Sequence, residues 1–158
     1  MGTVVGAATD YLVTHLAPLV VAAQADCLVI DANTNDEKSD TIVWIGRRAP
    51  QDTTGGAAVR GLPVMGSRRV DETWTIDCFI DAKRDGTDQK TSRDAAVSVY
   101  DVVCRLVSTD PTLGGLLTFG YPAEIRAVSM LYPDPPATAQ SRTVISFAVQ
   151  IKNRYNAA

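Results

Sequence analysis

Alternating polar and apolar positions predict one long strand in the middle of the chain. Between Val70 and Ala82, nearly every second residue is apolar, and the residues in between are mostly polar. A period of two places the apolar set on one face of a strand and the polar set on the other. Strands usually contain about five or six residues, so the predicted strand is unusually long.

Two segments carry apolar residues at helical spacing. The second of them follows the long strand, begins at a candidate capping box of Thr91 and Asp94, and ends near Ser108. The first lies near the N-terminus, and Pro18 is expected to end or kink it because proline lacks the backbone donor. Thr3 is its candidate N-cap. Its apolar stripe comprises Val5, Ala8, Leu12, Leu16 and Leu19.

Shorter strands flank these elements. The segments 26–30 and 41–46 are rich in β-formers and are predicted to form a hairpin with a long acidic tip. The second of them is apolar on both faces, so either its own fold or a neighbouring subunit is expected to cover it. Two alternating segments, 123–132 and 143–152, close the chain. The order α-β-β-β-α-β-β predicts an α+β fold: a mainly antiparallel sheet of about five strands with both helices on one face.

Between residues 47 and 69 the periodic pattern disappears. This stretch contains two prolines and four glycines, and a connection of about twenty residues is unusual inside a compact domain. We therefore expect one domain over residues 1–158, with a long loop or a hairpin arm at about 47–69.

Composition narrows the classes of function. The net charge is −3, which argues against a protein whose main task is to grip nucleic acid. The three cysteines, Cys27, Cys78 and Cys104, lie far apart among apolar residues, so they are expected to be core thiols in a reducing compartment. No basic region precedes the N-terminal apolar stretch, and the run Leu16–Ala23 is too short to cross a bilayer. A cytoplasmic site of synthesis and no membrane partner are expected.

Catalytic and metal-binding patterns are weak. His15 is the only histidine, and without a G-x-S-x-G motif a surface or structural role is favoured over a hydrolase. Asp31, Asn33 and Asn35 match the first ligand positions of an EF-hand loop, but Asp36 replaces the required glycine and strands flank the loop. No enzyme activity, metal or cofactor is expected.

Two charged groups remain as candidate sites. An acidic row on the polar face of the long strand is either a solvated face or the wall of a channel, because residues so far apart cannot share one metal ion. Arginines bracket the irregular stretch beside Trp44, and an interface between protein chains is favoured over a solvated face or a nucleic-acid patch. The candidate channel residues are Asp71, Asp77 and Asp81. The candidate interface residues are Trp44, Arg47, Arg48, Arg60, Arg68 and Arg69.

The segment from Thr73 to Gly115 resembles the centre of the tail terminator, or tail completion, proteins of long-tailed bacteriophages. The shared pattern is a first helix, strands, a long strand, a charged turn and an amphipathic helix, followed by two final strands. The stretch 47–66 is longer than that family leads one to expect.

The resemblance implies a structural virion protein at the junction of tail and neck, assembled in the cytoplasm of the bacterial host. It implies a ring, expected to be a hexamer, that caps the head-proximal end of the tail tube and ends its polymerisation. The implied partners are the chain itself, the tail tube protein and the head–neck connector or stopper protein. DNA only passes through the lumen.

Other readings stay open on the sequence. A head–tail stopper or a tail tube subunit fits the same pattern, and a tube subunit would stack into filaments where a terminator gives finite rings. A protein-binding module unrelated to phages and a small hydrolase that uses His15 are the remaining alternatives.

Overall fold

The described part of the chain forms a six-stranded sheet with two helices on one face. In a computed structural model of the chain, the described residues are 4–31, 39–46, 57–60, 69–117, 121–133 and 139–156. The helices are α1 (Val5–Ala23) and α2 (Gln89–Thr109). The strands are β1 (Cys27–Asp31), β2 (Thr41–Ile45), β3 (Ala57–Arg60), β4 (Arg69–Asp85), β5 (Glu124–Leu131) and β6 (Gln140–Asn156).

The predicted fold class is confirmed. The main path of the sheet is β1-β2-β4-β6-β5, and the short β3 pairs with β4 outside this path. All pairs are antiparallel except that of β1 with β2. β3 falls within the irregular stretch 47–69, whereas residues 47–56 and 61–68 lie outside the described part of the chain, so the choice between a long loop and a hairpin arm stays a prediction.

The predicted hairpin of the first two strands is wrong, because β1 and β2 are parallel with Cys27 opposite Thr41. Alternation of side chains determines which face is buried but not the direction of a strand. The segment 32–40 can stretch to roughly 30 Å. β1 has five residues and is therefore roughly 17 Å long. The connecting segment is long enough to run back along β1, so that β2 can begin beside the first residue of β1.

The long strand is even longer than predicted. β4 and β6 each contain 17 residues and are paired along their whole length, from Arg69 with Asn156 to Asp85 with Gln140. The apolar face of β4 is confirmed as the core face, since Ile76, Cys78 and Ile80 belong to the cluster that also holds both helices. This ribbon is the centre of the sheet.

Both helices differ from the sequence prediction at their ends. α1 continues through Pro18 to Ala23, because its exposed position lets the chain tolerate the missing donor. Its N-cap is Val4, and Thr3 lies outside the described residues. α2 begins two residues before the predicted capping box: Asp88 is the N-cap and accepts a hydrogen bond from the amide of Lys90.

Gln24 joins four elements at the end of α1. Its Nε2 donates to the Ala95 carbonyl (2.8 Å) and the Ser98 hydroxyl (2.6 Å) of α2. Its Oε1 accepts from Thr41 of β2 (3.2 Å) and Arg84 of β4 (2.8 Å). This shared amide fixes the C-terminal end of α1 over the sheet and beside α2.

Candidate functional site

The edge strand β5 is the most unusual surface of the described chain. Among the described residues it pairs only with β6, which leaves its outer edge without a strand partner. Its C-terminal half exposes the large apolar side chains of Val128 (50% exposed), Met130 and Leu131, and Tyr132 just after the strand is 51% exposed. An exposed apolar edge is a template for pairing with another chain.

A bulge divides β5 into a charged half and an apolar half. The register with β6 shifts between Arg126 and Ser129, and Ala127 has a φ of 53°. An extra residue in one strand bends it and re-aims its side chains. Before the bulge, Glu124 and Arg126 form an exposed ion pair. After it, β5 is almost entirely apolar.

A cavity of about 620 Å³ separates β5 from the C-terminal half of α2. Its lining is mixed, with Val107, Pro111 and Ile125 beside Cys104 and Ser108. The Ser108 hydroxyl donates to the Cys104 carbonyl at 2.7 Å, so it is tied to its own helix. Glu124 and Arg126 also line this cavity, and no described histidine does.

An apolar groove of about 560 Å³ runs between the C-terminal half of α1 and α2. The floor is formed by Leu19, Ala22, Ala23, Val102 and Leu106. Leu19 is 43% exposed. This groove lies on the outside of the helical layer. It is therefore a second apolar surface, separate from the β5 edge.

The apolar character of α1 extends around much of the helix. By length and composition alone α1 is apolar enough to cross a membrane, and only 22% of its apolar 18-residue stretch is buried in the domain. Four residues form its buried stripe against the sheet and α2: Ala8, Leu12, Leu16 and Val20. Leu19 and Val21 are exposed and add to the exposed apolar area, whereas Val5 and Val13 pack partly against the core.

The structure does not bring the three candidate channel aspartates together as one acidic surface. Asp81 is only 7% exposed and forms a two-pronged ion pair with Arg142 (2.9 and 2.7 Å). Asp71 forms another with Arg154 (2.5 and 2.9 Å) across the β4–β6 pair, and this hydrogen bonding holds the pKa of Asp71 below its usual range. Asp77 is half-buried. The face is charge-balanced where these pairs lie.

Trp44, the only apolar residue of the predicted arginine-rich interface, is already buried within a single chain. It is 2% exposed and stacks on Phe79 with ring centroids 5.7 Å apart. The cluster around it also includes Ile30, Ile42 and Val144, on the sheet face opposite the helices. Its doubly apolar strand is an interior strand of this fold.

The candidate interface arginines are only partly described. Arg47, Arg48 and Arg68 lie outside the described residues. Arg60 is opposite Glu72 in the β3–β4 pair, and Arg69 is opposite Asn156 at the end of β4. For these two, the position of the backbone alone is described. Their role at an interface stays a prediction.

The other residues considered for catalysis or metal binding are His15, the three cysteines and the EF-hand-like loop. His15 is exposed, stacks on Tyr11 with centroids 3.9 Å apart, and has its Nδ1 2.9 Å from the Tyr11 carbonyl. Cys27 and Cys78 are buried, and desolvation raises the pKa of each thiol to about 12. Cys104 is half-buried. Asn33 and Asn35 of the EF-hand-like loop lie outside the described residues, and no cluster of metal-ligating side chains occurs among the described ones.

Tyr11 ties α1 to the loop after α2. Its hydroxyl donates to Asp110 Oδ2 at 2.6 Å, and the same oxygen accepts from the Gly114 amide at 2.8 Å. Gly114 has a φ of 71°, and a Cβ there would lie 3.0 Å from the Tyr11 ring. Burial and the hydrogen bond to Asp110 raise the pKa of Tyr11 to about 12. The same bond lowers the pKa of Asp110.

Sequence reasoning missed the exposed edge although a signal was present. The segment 127–132 reads AVSMLY, with apolar residues in both alternating rows. A strand that is apolar on both faces requires cover on both. The same pattern occurs in β2, where the chain itself supplies the cover. Only the order of strands in the sheet separates the interior case from the edge case.

Comparison with protein-family models and with curated proteins found no match for this chain.

Proposed function

We propose that this chain is a structural subunit that assembles with copies of itself into a closed ring, and that the ring caps the head-proximal end of a phage tail tube. The observation that carries the assembly is the β5 edge. Val128, Met130 and Leu131 of this strand, and Tyr132 just after it, are all more than one third exposed, and the strand has no outer partner among the described residues. Soluble monomers rarely leave such an edge uncovered.

The arrangement of apolar surfaces favours a ring over a two-fold dimer. The β5 edge lies at one end of the sheet, and α1 packs mainly on β1 at the other end. Two different surfaces on one subunit are what a heterologous, head-to-tail contact requires. Such contacts close into a ring when the rotation between neighbours allows it, and otherwise continue into a filament.

The assignment to the tail rests on the resemblance of the segment 73–115 to tail terminator proteins. The fold has the element order that accompanies this resemblance, which supports the proposal. In this role the ring ends polymerisation of the tube and offers its other face to the head–neck connector or stopper protein, and DNA passes through the lumen. The chain then acts in the virion, at the tail–neck junction, by binding rather than by catalysis.

Tube growth tests the tail assignment. The tail tube protein encoded in the same genome is polymerised with and without this chain, and tube lengths and ends are measured by electron microscopy. We expect shorter tubes with a ring at one end, and finite rings from this chain alone. Unchanged tube lengths would contradict the proposal, and long filaments of this chain alone would identify a tube subunit.

A further inference from the structure

Opposite charges without a partner among the described residues lie beside the groove between α1 and α2. Asp101 and Arg105 are exposed on α2, four residues apart, and both line the groove. Neither side chain forms a hydrogen bond or ion pair with a residue in the described part of the chain. Residues four apart on a helix are separated by about 6 Å along its axis and face the same side. The groove therefore presents an acid and a base at a fixed spacing.

The charged half of β5 carries the same pair of charges. Glu124 and Arg126 are two residues apart on the strand, and their side chains are 43% and 56% exposed. Alternate residues of a strand point to one face and lie about 7 Å apart. The two pairs therefore match in spacing, with Arg126 meeting Asp101 and Glu124 meeting Arg105 in the antiparallel sense.

The apolar parts of the two surfaces are placed to meet in the same alignment. With Arg126 at Asp101, the chain beyond the bulge continues toward the end of the groove formed by Ala22 and Ala23. That part of β5 begins with Val128, which is half exposed. When these apolar side chains pack against the apolar residues of the groove, both are removed from water. This burial supplies the main favourable free energy of the contact.

We infer that the α1–α2 groove of one copy receives the β5 strand of a second copy, with the Glu124–Arg126 pair exchanging partners with Asp101 and Arg105. This inference rests on the proposed self-assembly and gives it a specific contact. The contact is heterologous, because β5 and the groove are different surfaces of the same chain. The charges fix the register of the strand in the groove, and the apolar residues provide the affinity.

Reversing charges on the two surfaces tests the contact. Asp101→Arg and Arg126→Asp are expected to weaken self-association about tenfold each, because each variant sets like charges against each other. The double variant Asp101→Arg/Arg126→Asp is expected to restore the wild-type association. Asp10→Arg makes the same change in net charge as Asp101→Arg, but at an exposed position on α1, away from the groove. It is expected to leave association unchanged. Sedimentation velocity over a concentration series measures all four variants, and circular dichroism verifies their folding.

The outcomes separate this contact from the assembly itself. Single variants that associate like an assembling wild type overturn the groove contact but leave the ring proposal standing. Weakened single variants without rescue in the double variant overturn the partner exchange. A wild-type protein that stays monomeric at every concentration overturns both proposals.

Discussion

For single residues, burial within one chain distinguishes a role in the fold from a role at an interface or in a channel. Trp44 was predicted as an interface residue because its strand is apolar on both faces. The structure places it in a small cluster with Ile42 and Phe79, away from the helices. The aspartates of β4 follow the same logic: Asp81 is a buried partner of Arg142, and Asp71 is bound by Arg154. Alternation assigned their face correctly but could not show that arginines of β6 neutralise them.

Trp44→Ala is therefore expected to destabilise the fold rather than only its assembly. Removing a buried tryptophan leaves a cavity beside Phe79, and such changes typically lower the free energy of unfolding by about 3–5 kcal/mol. Urea denaturation of the variant measures the loss, with Trp44→Phe as a control that keeps an aromatic ring and loses less. A Trp44→Ala protein as stable as the wild type, but weaker in association, would restore the interface role.

Among the elements, β2 and β5 show why the same pattern has two meanings. β2 and the second half of β5 are mainly apolar in both alternating rows. β2 lies between β1 and β4 and is buried at all five positions, whereas the second half of β5 is exposed. The neighbours of a strand depend on contacts far apart in sequence, which local periodicity does not contain. An exposed strand of this kind is the feature that a second chain is expected to cover.

The tie between α1 and the loop after α2 gives the fold a defined pH dependence. The Asp110 carboxylate is stabilised in the folded state, so its contribution is present above the usual pKa of about 3.9 and is lost as pH falls through the lowered value. The pKa of Tyr11 is raised to about 12, so its contribution is complete below about pH 10 and is lost as pH rises through about 12. Both contributions are present near neutral pH.

Tyr11→Phe tests this tie because it removes the hydroxyl and keeps the ring against Gly114. The variant is expected to be less stable than the wild type near neutral pH, with a difference that shrinks toward about pH 3 and toward about pH 12. Urea unfolding at these three conditions measures it. Tyr132→Phe alters an exposed tyrosine just after β5 and is expected to show no such dependence. A Tyr11→Phe difference that is constant with pH would contradict the assigned hydrogen bond.

At the scale of the whole molecule, the sequence predicted the arrangement of sheet and helices better than the direction and pairing of the strands. The order of the elements correctly predicted both helices on one face of the sheet, and the alternation of β4 correctly predicted which of its faces packs against them. The parallel direction of β1 and the pairing of the short β3 with β4 were not predicted. The direction of β1 depends on the path of the segment that joins it to β2, and the pairing of β3 depends on how the chain turns between β3 and β4. Neither the β5 edge nor the α1–α2 groove follows from local pattern, since each exists only after the elements have packed.

The central claim, that the β5 edge assembles the chain, is tested most directly by molar mass in solution. Light scattering across a concentration series is applied to the wild type, to Val128→Lys and to Val21→Lys. The two valines are matched in exposure, at 50% and 48%, but Val21 lies on α1 outside the groove lining. We predict a finite multiple of 16.9 kDa for the wild type and for Val21→Lys, and 16.9 kDa for Val128→Lys. A monomeric wild type, or a Val128→Lys protein that assembles like the wild type, would contradict the claim.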